Sequence, residues 1–373
     1  MSDAARRSET ESDGVGGLIT RQSQPRNLES PFWALDGPIT PNHRFYVRSH
    51  FPEVPALDPA TWTLTVEGAV ERPFAIGYDE LTAMPSRDVT ATLECAGNGR
   101  VFLKPPAKGV QWERGAVSTA VWTGVPLRDL LERAGVRPGA VEVVLEGADR
   151  GKLSEEPKSP GEISFARSLP LERATAREAD VLLAWRMNGE TLTPAHGFPL
   201  RAVVPGWYAM ASVKWLTRLA VVDRPFAGFF QTVDYSYWER GGGEDGLPPQ
   251  MRPITDLDVK AQIARPAPGE SLPRGTEFRV FGAAWGGGGA PVEKVEVSAD
   301  GGQTWREARL LGEATPNAWR LWEFPWRTPD EPGAHSLVAR ATDARGNAQP
   351  AEHDPGRCGY RVNFPVPVEF DVY

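Results

Sequence analysis

The sequence predicts an α+β domain followed by a small β-sandwich, and three observations predict it. Helical and strand patterns alternate irregularly up to about Asp223. The stretch ERGGGEDGLPPQMRP, just after Trp238, is dense in Gly and Pro. Beyond it the helical patterns vanish, and short alternating runs separated by turn signals take over. The expected organisation is a mobile tail over residues 1–30, a first domain over 31–250 and a second over 251–373.

The tail is rich in Ser, Glu, Arg and Gly and has little apolar periodicity. WTLTV, from Trp62 to Val66, alternates as a half-buried strand does. DVTATLEC repeats the pattern, so Cys95 sits where a strand runs out into a loop. Between them FAIGYDELTAMP predicts a short helix over Tyr78 to Ala83, stopped by Pro85. VPLRDLLERAGV predicts a clearer one, with Leu127, Leu130, Leu131 and Ala134 on one face and Gly135 as C-terminal cap. Strand VEVVLEG follows, then a loop rich in Pro, Ser and Glu. In the second domain FRVFGAAW, VEKVEVS, WRLWEF and HSLVARATD read as strands, with Asp300-Gly301-Gly302 as a turn.

Bulk properties narrow the function. The 373 residues are 40% hydrophobic and 24% charged, as in ordinary soluble globular proteins, and long enough for two or three domains. A formal net charge of −8 argues against a general affinity for nucleic acid or anionic lipid, both of which need a basic surface. No run approaches the roughly 18 apolar residues of a membrane helix, so no integral membrane protein is expected. Arg6 and Arg7 are followed by polar SETESD rather than an apolar stretch, which predicts a cytoplasmic location with a periplasmic one as the alternative. Cys95 and Cys358 form no disulfide framework and are expected to be free thiols. GxGxxG after a strand, P-loop, HExxH, CxxCH and GxSxG patterns are all absent, and the five histidines show no zinc-ligand spacing.

The most informative stretch is Thr92-Leu93-Glu94-Cys95-Ala96-Gly97-Asn98-Gly99-Arg100. A thiol at a strand end, followed by two glycines and an arginine, can place a thiolate against a cationic, backbone-lined concavity. Taken alone, a buried cysteine acting as a small hydrophobe explains it as well. The segment resembles the Cys-Ala-Gly-Asn-X-Arg signature of the sulfite oxidase family, and the resemblance runs over nearly the whole chain from Pro41 on. It implies a molybdopterin-binding domain followed by an immunoglobulin-like sandwich that forms a homodimer, with Cys95 as thiolate ligand of molybdenum beside the pterin dithiolene. Gly99 stands where many members carry a second arginine.

Further matches extend the resemblance. In TPNHRFYVRSHFPEVP it covers Tyr46, Arg48 and His50, which implies Arg48 in the substrate pocket and Tyr46 and His50 at the cofactor; Ser49 replaces a usual asparagine. HGFPLRAVVPG and the following Ser212-Val213-Lys214-Trp215 match the region that holds the pterin and its phosphate. That implies His196, Arg201, Ser212, Val213 and Lys214 as cofactor contacts, and Arg as a planar fork with Lys as a point charge suits a phosphate. Ala211 replaces a further arginine. Asp149 matches another cofactor position. Asp234-Tyr235 matches a pair whose tyrosine hydroxyl points at the metal, packing of the ring beside Phe229 and Phe230 being the alternative. Arg100 and Arg320 match arginines of the anion pocket, and Trp112 matches a pocket tryptophan, with a core role as the alternative.

The implied activity is the oxidation of sulfite to sulfate by oxygen-atom transfer. With no haem motif in the chain, electrons are expected to pass to a separate acceptor, a cytochrome, a quinone or another molecule. The alternatives are nitrate or sulfoxide reduction on the same cofactor, or a non-catalytic binding protein with a vestigial site.

Overall fold

The computed structural model describes residues 17–239 and 248–373. Residues 1–16 of the expected tail, and 240–247 of the Gly-rich stretch taken as the boundary, lie outside the described residues. Strands dominate. The helices Tyr78–Ala83, Leu127–Ala134, Leu171–Thr175 and Phe229–Thr232 are all short, so the first domain is more β than the expected α+β balance. The difference has a local cause. Residues 117–126, 163–170 and 182–187 are extended, and because both of their faces are largely buried they lack the clean alternation that marks a half-exposed strand.

The first domain is built on two five-stranded sheets. One runs in the order Glu190–Thr191, Leu182–Met187, Val117–Pro126, Arg87–Glu94, with Arg201–Val203 also paired to Leu182–Met187. The other runs Phe74–Gly77, Thr63–Gly68, Leu216–Val222, Glu142–Gly151, Ile163–Pro170. Leu64, Val66, Leu145 and Leu219 from the second sheet and Leu183 from the first share a core with Leu127, Leu130, Leu131 and Ala134 of the longest helix. That helix ends as its sequence predicts. Gly135 adopts φ +70° and donates its N–H to the Leu131 carbonyl, a backbone shape that costs glycine little.

The N-terminal segment departs from expectation. Ile19–Gln22 and Asn27–Glu29 are strands of a three-stranded sheet completed by Val47–Arg48, and Asn27, Leu28 and Glu29 are buried. Its short strands and polar residues carry no periodicity to read.

The second domain has two sheets. Lys260–Arg265, Glu277–Trp285, Arg320–Arg327 and Arg309–Leu310 form one. Ser271–Leu272, Val368–Val372, Gly333–Asp343, Val292–Ser298 and Arg306–Glu307 form the other. Val280, Ala284, Trp322 and Phe324 meet Val295, Leu337, Ala339 and Phe370 between them. Strand alternation sends the other face of Glu277–Trp285 elsewhere: Phe281, Ala283 and Trp285 join the core of the first domain. This sheet is therefore covered on both sides, and the two domains share one apolar seam. Residue 250, the expected boundary, begins the strand Gln250–Pro253, which pairs antiparallel with Ser236–Glu239. Among the described residues no helix is long and apolar enough to cross a membrane.

Candidate active site

Cys95 closes the strand Arg87–Glu94 and opens a tight turn. Its N–H donates to the Ala116 carbonyl at 2.9 Å, and its own carbonyl accepts from Asn98 N–H at 2.9 Å. The Asn98 side chain braces the turn by donating to Glu94 Oε1 at 2.9 Å and accepting from Ala116 N–H at 3.1 Å. Gly99 follows at φ +92°, where an added Cβ would meet Val362 of the second domain at 3.1 Å. The left-handed backbone and this close approach favour glycine at this position.

The thiol residue lines a cleft of about 610 Å³ together with Tyr46, Arg48, His50, Asp149, His196, Arg201, Ser212, Val213, Lys214 and Tyr235. Ten of the fourteen residues singled out in the sequence besides Cys95 thus lie around one space. Tyr235, at φ +53°, places its hydroxyl 2.7 Å from His50 Nε2 and 3.4 Å from Arg48 Nη2. His50 is stacked on Phe165, with ring centroids 4.1 Å apart. Trp215, which ends the Ser212–Trp215 match, lines the cleft too, as do Phe165 and Met210, which no sequence motif marks.

The basic groups here face no carboxylate in their hydrogen bonds. Arg201 donates to the carbonyls of His196 and Ser212, each at 3.1 Å, and Lys214 Nζ donates to the Ala195 carbonyl at 2.9 Å. Arg48 donates to the Asn27 side-chain oxygen, the Ser49 carbonyl and the Tyr235 hydroxyl. Burial pulls Lys214 below the usual lysine range and Arg201 down to about 10, and pushes the Asp149 carboxyl up. Burial, with Arg201 and Lys214 nearby, takes His196 down to about 3, so its imidazole is neutral at pH 7.

These shifts report charge enclosed without enough countercharge. The Oδ1 atom of Asp149, which lines the cleft, is buried without a hydrogen-bond partner. An anionic ligand with hydrogen-bonding edges satisfies both deficits. Among the described residues no three His, Cys, Asp or Glu side chains converge to hold a metal, so a metal on the Cys95 thiol needs further ligands from the group it arrives with. The residues therefore fit a phosphate-bearing, metal-carrying pterin.

Four of the expected site residues lie outside the cleft lining. Arg100 turns away: Nε donates to the Gly359 carbonyl at 3.1 Å, Nη1 to the Val110 carbonyl at 2.9 Å, and the guanidinium covers the Tyr360 ring at 5.0 Å. Trp112 is fully buried in the apolar cluster that also holds Tyr46, Leu93 and Cys95. Asp234 accepts from Tyr235 N–H at 2.9 Å and from the Tyr360 hydroxyl, so it braces the tyrosine from behind. Tyr360 comes from the second domain and was not singled out in the sequence. Its context, CGYRV, resembles no motif.

Arg320 lies in the second domain. It pairs with Ala284 in the second-domain sheet, and Nη2 donates to the Gly312 carbonyl at 2.8 Å. Glu323, three residues further along the strand, is taken by Arg279 and Arg309. The Arg320→Met variant is therefore expected to keep kcat/KM within about twofold in steady-state assays, since no transition-state contact is removed. A fall of tenfold or more would return Arg320 to the anion pocket.

A single cysteine over a basic cleft, carried by two joined β-rich domains, fits a molybdopterin-dependent oxidoreductase, and the similarities to known proteins show that class. Residues 50–230 match the oxidoreductase molybdopterin binding domain, and residues 251–357 match the Mo-co oxidoreductase dimerisation domain. The chain is 40% identical over 347 residues to the sulfite oxidase of Gallus gallus, covering 90% of this chain and 73% of that protein. It is 39% identical to the mitochondrial sulfite oxidase of Mus musculus, covering 89% of this chain and 61% of the relative. The crystal structure of the sulfane dehydrogenase SoxCD from Paracoccus pantotrophus superposes with a TM-score of 0.79 at 30% identity, over 93% of this chain and 84% of that one. The chain belongs to the sulfite oxidase family.

Proposed function

We propose that this chain oxidises sulfite to sulfate and passes the electrons to an external acceptor. The observation that carries the reading is the meeting of Arg48, the Tyr235 hydroxyl and Cys95 in one cleft. A cation and a hydroxyl beside the thiol suit a small oxyanion, and the likeness to sulfite oxidases supports sulfite as that anion. When bound, the molybdenum–pterin group supplies two-electron redox chemistry and oxygen-atom transfer. Cys95 is its thiolate ligand. His196, Arg201, Ser212, Val213 and Lys214 hold the pterin and its phosphate, with Tyr46, His50 and Asp149 as further contacts. Arg48 neutralises the substrate, and Tyr235, held by His50, orients an oxygen atom through its hydroxyl. Arg100, Asp234 and Trp112 act behind this first layer, by holding Tyr360, Tyr235 and Tyr46 in place.

The second domain is proposed to be immunoglobulin-like and to form a homodimer, and sedimentation of the purified protein tests this. Purified protein is expected to contain molybdenum and pterin in near-equal amounts. Steady-state assays with an artificial one-electron acceptor should show turnover of sulfite, with nitrate, a sulfoxide and a sulfane compound as comparisons. Added salt should raise the KM for sulfite, because Arg48 attracts the anion by charge. Turnover of nitrate, the sulfoxide or the sulfane compound with none of sulfite would overturn the substrate assignment and leave the cofactor assignment standing.

A further inference from the structure

Arg48 needs a fixed guanidinium plane to present a fork to an oxyanion, yet its stem is flexible and its partners include no carboxylate. Something must hold the plane. Asn27 lies directly opposite Arg48 in the N-terminal sheet, as a cross-strand pair. Its side chain is fully buried. Oδ1 accepts from Arg48 Nη1 at 3.2 Å and from Ser49 N–H at 3.0 Å, while Nδ2 donates to Gln22 Oε1 at 2.8 Å and to the Pro25 carbonyl at 2.9 Å. All four hydrogen-bonding positions of the amide are used, so it cannot turn without losing bonds.

The hairpin that carries Asn27 is itself anchored. Glu29, two residues on and so on the same face, accepts from the N–H groups of Glu113 and Gly115 and pairs with Arg21. Arg21 also reaches Glu113 at 3.0 Å. On the opposite face Leu28 packs with Leu18, Val47 and Ala195, and the Ala195 carbonyl holds Lys214. The strand thus has a rigid seat on both sides.

We infer that Asn27 is a positioning residue for substrate binding, holding one edge of the Arg48 guanidinium while the Tyr235 hydroxyl meets the other. This rests on the reading that Arg48 binds the substrate anion. A segment with no catalytic motif then becomes part of the anion pocket.

The test is a double-mutant cycle on the holoenzyme with Asn27→Ala and Arg48→Lys. Asn27→Ala is expected to raise the KM for sulfite about tenfold while kcat changes less than about threefold, since a charge-assisted bond is lost from orientation rather than from the chemistry. In the Arg48→Lys background the same change should add little, because an ammonium has no plane to hold. Gln22→Ala removes one of the four bonds that fix the amide but leaves Oδ1 and the Pro25 bond in place, so its KM should rise much less than in Asn27→Ala. If Asn27→Ala does not accumulate as folded protein, Asn27→Ser serves instead, keeping a polar group at the site with a hydroxyl too short to reach Nη1. An unchanged KM in a fully loaded Asn27 variant, additive effects across the cycle, or an equal rise in Gln22→Ala would each overturn the proposal. Thermal stabilisation of the holoprotein by sulfate reads the same cycle without turnover. Loss of that stabilisation in Asn27→Ala and Arg48→Lys alike upholds the positioning role even if sulfite is not the substrate, and full retention in Asn27→Ala overturns it.

Discussion

Replacing Cys95 by serine is expected to lower turnover by about two orders of magnitude or more, because a hydroxyl is a harder and far less readily ionised ligand than a thiol. The fold should survive. The turn around residue 95 is held by main-chain bonds to Ala116 and Asn98 and by the Asn98 side chain, none of which involves sulfur. Serine is also slightly smaller than cysteine, so the buried site accepts it without clash. Melting temperature and pterin content should therefore stay close to the parent while activity collapses, a combination that a folding defect does not produce. Cys358 provides the control. It is exposed, makes only a weak contact from its thiol to the Gly356 carbonyl, and its replacement by serine should leave turnover unchanged. Normal activity in Cys95→Ser would remove the ligand assignment.

Breaking the Glu94–Lys260 pair is expected to destabilise the whole chain. Lys260 Nζ lies 3.0 Å from Glu94 Oε1 and the two side chains are 5% and 1% exposed, so this ion pair is cut off from water at the seam between the domains. Glu94 also accepts from Trp285 Nε1 at 2.8 Å and from Asn98, and Lys260 donates to the Asn98 carbonyl. The Lys260→Met variant leaves a buried carboxylate with two neutral donors. Removing one partner of such a pair typically costs about 3–5 kcal/mol, whereas replacing both by neutral groups costs much less. Urea unfolding should show a loss of that size in Lys260→Met and partial recovery in the Glu94→Gln, Lys260→Met double variant. A single variant within about 1 kcal/mol of the parent would mean that water reaches the pair. Because Glu94 precedes Cys95, the same variants should also loosen the thiol turn, which faster alkylation of Cys95 in cofactor-free protein would reveal.

Much of the site was legible because its signals are local. Tyr46, Arg48 and His50 fall within five residues, and Ser212, Val213 and Lys214 are consecutive, so a motif fixes their mutual placement before any folding is considered. Cys95 could be put at a strand end because DVTATLEC alternates, and the strand Arg87–Glu94 stops one residue before it. The helices Tyr78–Ala83 and Leu127–Ala134 begin and end where apolar spacing and the flanking proline or glycine put them. In each case the information lies within one or two turns of the chain.

Tertiary structure decided the rest. Arg320 has a local pattern that suits either face of its strand, and the hairpin between Arg309–Leu310 and Arg320–Arg327 sets its guanidinium beside Gly312 rather than Arg48. Arg100 follows Cys95 closely in sequence, yet the carbonyls of Val110 and Gly359, the latter brought by the distant segment 355–363, turn it away from the cleft. Asn27 sits in a stretch with no periodicity and becomes an ordered strand because Val47–Arg48 and the 113–115 segment supply partners for its backbone and for Glu29. Sequence by itself determined which residue types are available and the local elements that carry them. The direction in which a long polar side chain points is set by whichever donor or acceptor the fold brings within about 3 Å of it, and contacts far apart in sequence leave no local periodicity to read.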